Sequence, residues 1–186
     1  GSTPFHFAAN KGSVEIMELL CSHPQSNPNL EDHDGRTPLH YASQNGHIDL
    51  VRLLTSKHSS DAMAKDKKNV TPLSLSAEGG HLLVLKYLCS LANSDPGFSD
   101  GHGRTPLHYA CQEGHADIVR YLVEERAGKL DQKDGNGVTP MDLLGVMNHT
   151  RILDYLKRRG LQGSVESSNL INNLKNSREN RKYMYN

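Results

Sequence analysis

At 186 residues, with 21 Lys and Arg balancing 21 Asp and Glu, the chain has no net field to draw it to nucleic acid or an anionic membrane. It contains no run near the roughly 18 apolar residues that a membrane helix needs, and no secretory leader is recognisable. Three cysteines, Cys21, Cys89 and Cys111, without a C-x-x-C pair, read as reduced, buried thiols of the cytosol or nucleus rather than a disulfide framework.

Organisation comes from repetition. Thr-Pro occurs at Thr3, Thr37, Thr71, Thr105 and Thr139, each 34 residues after the last. Behind each lies an apolar quartet in constant register: Ile16, Met17, Leu19, Leu20; Leu50, Val51, Leu53, Leu54; Val84, Leu85, Tyr87, Leu88; Ile118, Val119, Tyr121, Leu122; and Ile152, Leu153, Tyr155, Leu156. A stronger likeness is laid over this period. GRTPLHYASQNGHIDLVRLL, Gly35 to Leu54, returns nearly unchanged as GRTPLHYACQEGHADIVRYL, Gly103 to Leu122, at a distance of 68, two periods.

The second unit shows what one period builds. Asp34-Gly35 signals a turn, because glycine adopts a positive φ without steric cost. Thr37 is then an N-cap and Pro38 a first helical residue, where the missing N–H does no harm. A short helix through Leu39, Ala42 and Ser43 ends near Gly46. A second helix from about His47 to Thr55 carries the quartet as a broad buried stripe. Polar residues connect it to the next turn. Two short helices and a turn cannot bury a face alone, whereas stacked units share one elongated core.

TPLHYA at Thr37 to Ala42 and Thr105 to Ala110, each followed by Gly-His at Gly46-His47 and Gly114-His115, resembles the ankyrin repeat. The resemblance covers about residues 1–160 and implies an all-α solenoid of helix-turn-helix units with projecting β-turn or hairpin fingers. The period is 34 rather than the family's usual 33, and the Gly-Ala that usually follows the second helix is missing in units one to three. The extra residue is expected between the second helix and the turn. In the fifth unit Asn148 stands for the inter-helix Gly, Leu144 for the small Ala and Asp142 for the His, as in a degenerate terminal unit. Asn69 occupies the turn-glycine column, which Asn tolerates. The start at GSTPFHFAAN suggests a fragment of a longer array. Residues 161–186 leave the period and form a polar, basic extension, with Val165, Leu170, Ile171 and Leu174 as a possible short helix; seven Lys and Arg face two Glu from Lys157 onward.

Eleven histidines invite a metal or acid–base reading. Seven fall in two columns: His6, His40 and His108 after Thr-Pro-Leu or its equivalent, and His47, His81, His115 and His149 at the start of second helices. Residues that recur once per unit lie too far apart to share one ion, and the resemblance implies that the TPLH histidine ties turn to helix. His23, His33, His58 and His102 are scattered. His33, in EDHDG, is either a solvated turn residue or a lure for a divalent cation, the former being the simpler reading. No hydrolase, nucleotide-binding or zinc-protease motif is present, so neither catalysis nor a cofactor is expected. KDKKN, Lys65 to Asn69, is a single turn tip, weaker than the aromatic and basic surfaces that bind nucleic acid.

Function is then expected where units differ. Residues three and four apart share a helix face, which groups Phe7 with Asn10 and Lys11, Tyr41 with Gln44 and Asn45, and Tyr109 with Gln112 and Glu113. These rings form a contact surface or lean into the core between units. The resemblance implies that this face and the turn tips line a concave groove for partner proteins or extended peptides. The tips are His33, Asp34 and Arg36; Lys67, Lys68 and Val70; Gly101, His102 and Arg104; and Gly135, Asn136 and Val138. Tyr41, Tyr109, Arg36 and Arg104 are the expected anchors, since Tyr and Arg dominate interface hot spots. The competing readings are a regulatory or packing segment of a larger channel, enzyme or effector, with the groove holding another domain of the same chain, and an enzyme or metal protein using EDHDG and the loop histidines.

Overall fold

The computed structural model describes residues 1–161. The helix proposed around Val165 to Leu174 lies outside them. The described residues form five helix pairs: α1 (Pro4–Lys11) with α2 (Val14–Cys21), α3 (Pro38–Gln44) with α4 (Ile48–Lys57), α5 (Pro72–Glu78) with α6 (Leu82–Ser90), α7 (Pro106–Glu113) with α8 (Ala116–Glu125), and α9 (Pro140–Val146) with α10 (Thr150–Arg158). Every first helix has an extended Thr before it and Pro in its first turn, as the sequence requires. The second helix of unit two begins at Ile48 with His47 as its N-cap, and runs two residues beyond the expected Thr55.

First helices stack in one layer and second helices in another. Each first helix packs far more closely on its neighbours than the second helices pack on theirs, so the stack bends with its first helices on the inner side. Close approach is possible because Ala9, Ser43, Ala77 and Cys111, one small residue per unit, are fully buried. The second helices fill the interior behind them with Met17, Leu54, Leu88, Leu122 and Leu156.

The quartet is a buried stripe in the inner units, with Leu53 and Tyr121 both in the core and Tyr87 half-buried against it. In the first unit it is not. Met17 is inaccessible, but Ile16 is 52% and Leu19 72% exposed, because among the described residues no unit packs on the face that every later unit turns to its predecessor. From unit three onward the members of the Leu19 column are aromatic and receive a cation from the unit before: Arg52 over Tyr87 at 5.0 Å, Lys86 over Tyr121 at 4.9 Å and Arg120 over Tyr155 at 4.7 Å.

The inter-helix glycines Gly12, Gly46, Gly80 and Gly114 have φ of +71° to +81°, and a Cβ on any of them would lie within 2.3–2.6 Å of the His47, His81, His115 or His149 ring of the following unit. Those rings donate Nε2–H to Asn10, Gln44, Glu78 and Gln112 carbonyls, at 2.8–3.2 Å. Glycine and histidine are therefore one joint between consecutive units. Asn148 keeps the positive φ, +63°, in a unit on which no further ring stacks among the described residues. The connections after α4 and α8 hold Ser59 and Ala127, two non-glycine residues at positive φ, in the stretch where the longer period was expected to show.

Candidate partner-binding surface

The inner face is assembled from the turns upward. Each turn begins with an aspartate: Asp32, Asp66, Asp100 and Asp134, one per period. One carboxylate oxygen accepts the backbone N–H groups two and four residues on, in every case at 2.8–3.0 Å. Adjacent turns are joined by backbone bonds, from Lys67 N–H to Asp34 carbonyl, Gly101 N–H to Lys68 carbonyl and Gly135 N–H to His102 carbonyl. The fingers thus form a continuous row without becoming strands.

The second carboxylate oxygen alternates between partners. Asp32 and Asp100 accept the hydroxyls of Tyr41 and Tyr109 from their own units, each at 2.6 Å. Asp66 and Asp134 accept Nε–H of Arg36 and Arg104 from the preceding unit, at 3.2 and 3.3 Å. The same two guanidiniums reach Gln44 and Gln112 at 3.5 and 3.1 Å. Burial pulls the Asp32 carboxyl upward, but its bonds from Tyr41, Arg36 and Asp34 outweigh this and hold it below the usual range. Burial and the Asp32 carboxylate push the Tyr41 phenol up to about 12, and the more enclosed Tyr109 is raised further.

The histidines after Thr-Pro-Leu are equally committed. At His40, Nδ1 accepts the Thr37 N–H at 3.0 Å and faces its hydroxyl at 2.9 Å, while Nε2 donates to the Val70 carbonyl of the next unit at 3.2 Å. A backbone N–H can only donate, so the ring proton sits on Nε2. His108 repeats this with Thr105 and Val138, and His6 with Thr3 and Arg36. Burial drives the His40 pKa down to about 4 and lowers that of His108. In the fifth unit Asp142 takes the cap role, accepting the Thr139 N–H and hydroxyl. Among the described residues, no three His, Cys, Asp or Glu side chains group as a metal site, and no helix is long and apolar enough to cross a membrane.

Sequence comparison bears on this same architecture. A family model described as ankyrin repeats matches in three copies, over residues 1–66 and 73–166. The chain belongs to the ankyrin repeat family. A search of curated proteins finds no match. Ankyrin repeats are generally protein–protein interaction modules and typically non-catalytic, and the ten described helices are their all-helical solenoid.

On this ankyrin array, His33, Asp34, Lys67, Lys68 and His102 are exposed at the turn tips, with Gly101, Gly135 and Asn136. Val70 and Val138, expected beside them, are instead buried: their side chains enter the core. Asn45 and Glu113 are exposed and Gln44 half-buried on the inner face, whereas Gln112 is buried, bonded to Arg104 and Glu113. Tyr41, Tyr109, Arg36 and Arg104 are half-buried and hydrogen-bonded within the array. The choice left open for the rings resolves in both directions, since their hydroxyls are tied inward while part of each ring stays accessible. The aspartate column that organises these contacts escaped the sequence reading, although its constant period of 34 was there to be seen.

Proposed function

We propose that this ankyrin array is a non-catalytic binding module that holds a partner protein or extended peptide against its inner face. The observation that carries the reading is the fixed posture of that face. Tyr41 and Tyr109 are pinned by Asp32 and Asp100, and Arg36 and Arg104 by the next unit, yet all four keep accessible surface beside the exposed Asn45 and Glu113. Side chains already immobilised lose little entropy on binding, which favours affinity. In this reading the four side chains are a rigid platform, and the exposed tips His33, Asp34, Lys67, Lys68 and His102 select among partners.

The thiols fit a binding role in a reducing compartment, the cytosol or nucleus. Burial pushes Cys89 up to about 11 and raises Cys21 and Cys111, so none is primed as a nucleophile. The test is selection of phage-displayed random peptides on the full chain, followed by amide hydrogen exchange of the complexes. Protection is expected along α3, α5, α7 and the turn tips. Protection confined to the outer helices α2, α4, α6 and α8, or to residues 162–186, would remove the inner face as the site.

A further inference from the structure

The inner face repeats one Arg–Gln device in units two and four and departs from it in unit three. Eight residues after Arg36 and Arg104 stand Gln44 and Gln112, each bonded to its own unit's guanidinium. At the equivalent positions of unit three are Val70 and Glu78. The cation is gone and the amide has become a carboxylate. The column reads Asn10, Gln44, Glu78, Gln112, Val146, so Glu78 is its one charged member, at the middle of the array.

Among the described residues no Lys or Arg lies within ion-pair distance of Glu78 or of Glu113. Arg36, the cation whose field reaches Glu78, already gives Nε to Asp66 and Nη1 to Gln44. The Tyr109 hydroxyl is spent on Asp100. Glu113, exposed one unit on, adds a second negative charge and, among the described residues, accepts only the neutral Gln112 amide. Burial and then Glu113 raise the Glu78 pKa, so the fold holds this carboxylate at a cost to itself. Residues that oppose stability in an accessible site are candidates for binding.

We propose that the middle of the inner face, at Glu78 and Glu113 beside the Tyr109 ring, receives an Arg or Lys side chain from an extended partner segment. The proposal rests on the inner face being the binding surface. Charge complementarity names the occupant: a basic side chain supplies the counter-ion that Val70 withholds, and its aliphatic stem can lie on the ring.

The experiment uses the phage-displayed random peptides selected on the full chain, repeated on Glu78→Gln and on Glu15→Gln, an exposed control on the outer helix α2. Wild type and Glu15→Gln are expected to enrich peptides with Arg or Lys at one fixed position. Glu78→Gln should lose that enrichment and bind the parent peptides about tenfold more weakly. Its melting temperature at pH 7 should stay level or rise, because a strained carboxylate is removed. Peptides that map to the inner face without a basic position, or that bind Glu78→Gln equally well, overturn the proposal and leave the inner face standing. Peptides that map elsewhere overturn both. A clear fall in the melting temperature of Glu78→Gln would assign the residue a structural role and overturn the proposal as well.

Discussion

Units two and four differ from units three and five in how they treat the same aspartate. In the even units Asp32 and Asp100 are occupied from within, by Tyr41 and Tyr109. In the odd units Asp66 and Asp134 are occupied from outside, by Arg36 and Arg104 of the preceding unit. The Arg and the Tyr sit together in GRTPLHY, and the odd units carry Val70 with Leu75, and Val138 with Leu143, in their places. The lesson is that the 68-residue likeness is not a duplicated site. An even unit supplies both the ring that closes its own turn and the guanidinium that closes the next one, so one elaborate unit serves two turns and its neighbour can be plain.

The largest break in this comparison should come from the buried member. Asp134→Ala leaves two backbone N–H groups and Arg104 without their acceptor, and should cost about 3–5 kcal/mol, the usual range for opening a buried charged pair. Asp32→Ala, at a half-exposed turn with a neutral phenol as its side-chain partner, should cost about 1–3 kcal/mol. Urea titrations of both variants check the order.

The second break is by pH. His40 titrates near 4 in the folded chain against 6.5 as a free side chain. The unfolded chain therefore binds more protons between these values, and stability falls as pH drops through that window. The contribution at stake is about 3 kcal/mol; it is present in full above pH 6.5 and lost below pH 4. His108, lowered in the same direction, adds to it. Unit three has Ser74 in this column, bonded to Thr71 by both its N–H and its hydroxyl. His40→Ser should accordingly lower stability at pH 7 while flattening its slope between pH 6.5 and 4, as read from chemical denaturation across that range. An unchanged slope would mean that the ring is not held neutral.

A third, smaller effect sharpens the even units themselves. Tyr109→Phe deletes the hydroxyl bond to Asp100 and should cost about 1.5–3 kcal/mol, as hydrogen bonds to charged groups do, with Tyr41→Phe at the lower end because its ring is less enclosed. Smallest of all is Leu19→Ala. Leu53→Ala in the same quartet column should cost about 2–5 kcal/mol, but Leu19 is exposed and its truncation should stay within about 0.5 kcal/mol. Thermal melts of this pair test whether the first described unit leaves open the face that the inner units cover.

Much of this was legible in the sequence, for identifiable reasons. Thr-Pro, the inter-helix Gly-His and the apolar quartet are local signals at a fixed period, and they place the helices to within two residues in unit two. Neighbours were not legible from one unit: whether Leu19 or Leu53 is covered depends on the unit before it. The inner-face residues were grouped correctly on their helices, yet Arg36 and Tyr41 read as free anchors because their partners, Asp66 and Asp32, lie 30 residues ahead and nine behind. A side chain's partner across a turn or a unit boundary is tertiary information. Only the column of aspartates announced it.

Arg36 and Arg104 are latches between units. A double-mutant cycle on Arg104→Met and Asp134→Asn measures the latch directly, beside a control cycle on Arg104→Met and Asp100→Asn, in which the carboxylate belongs to Tyr109. The first cycle should show a coupling of about 0.5–3 kcal/mol, with the control well below it. Equal and negligible coupling in both cycles would contradict the latch and leave Arg104 energetically independent of the next unit.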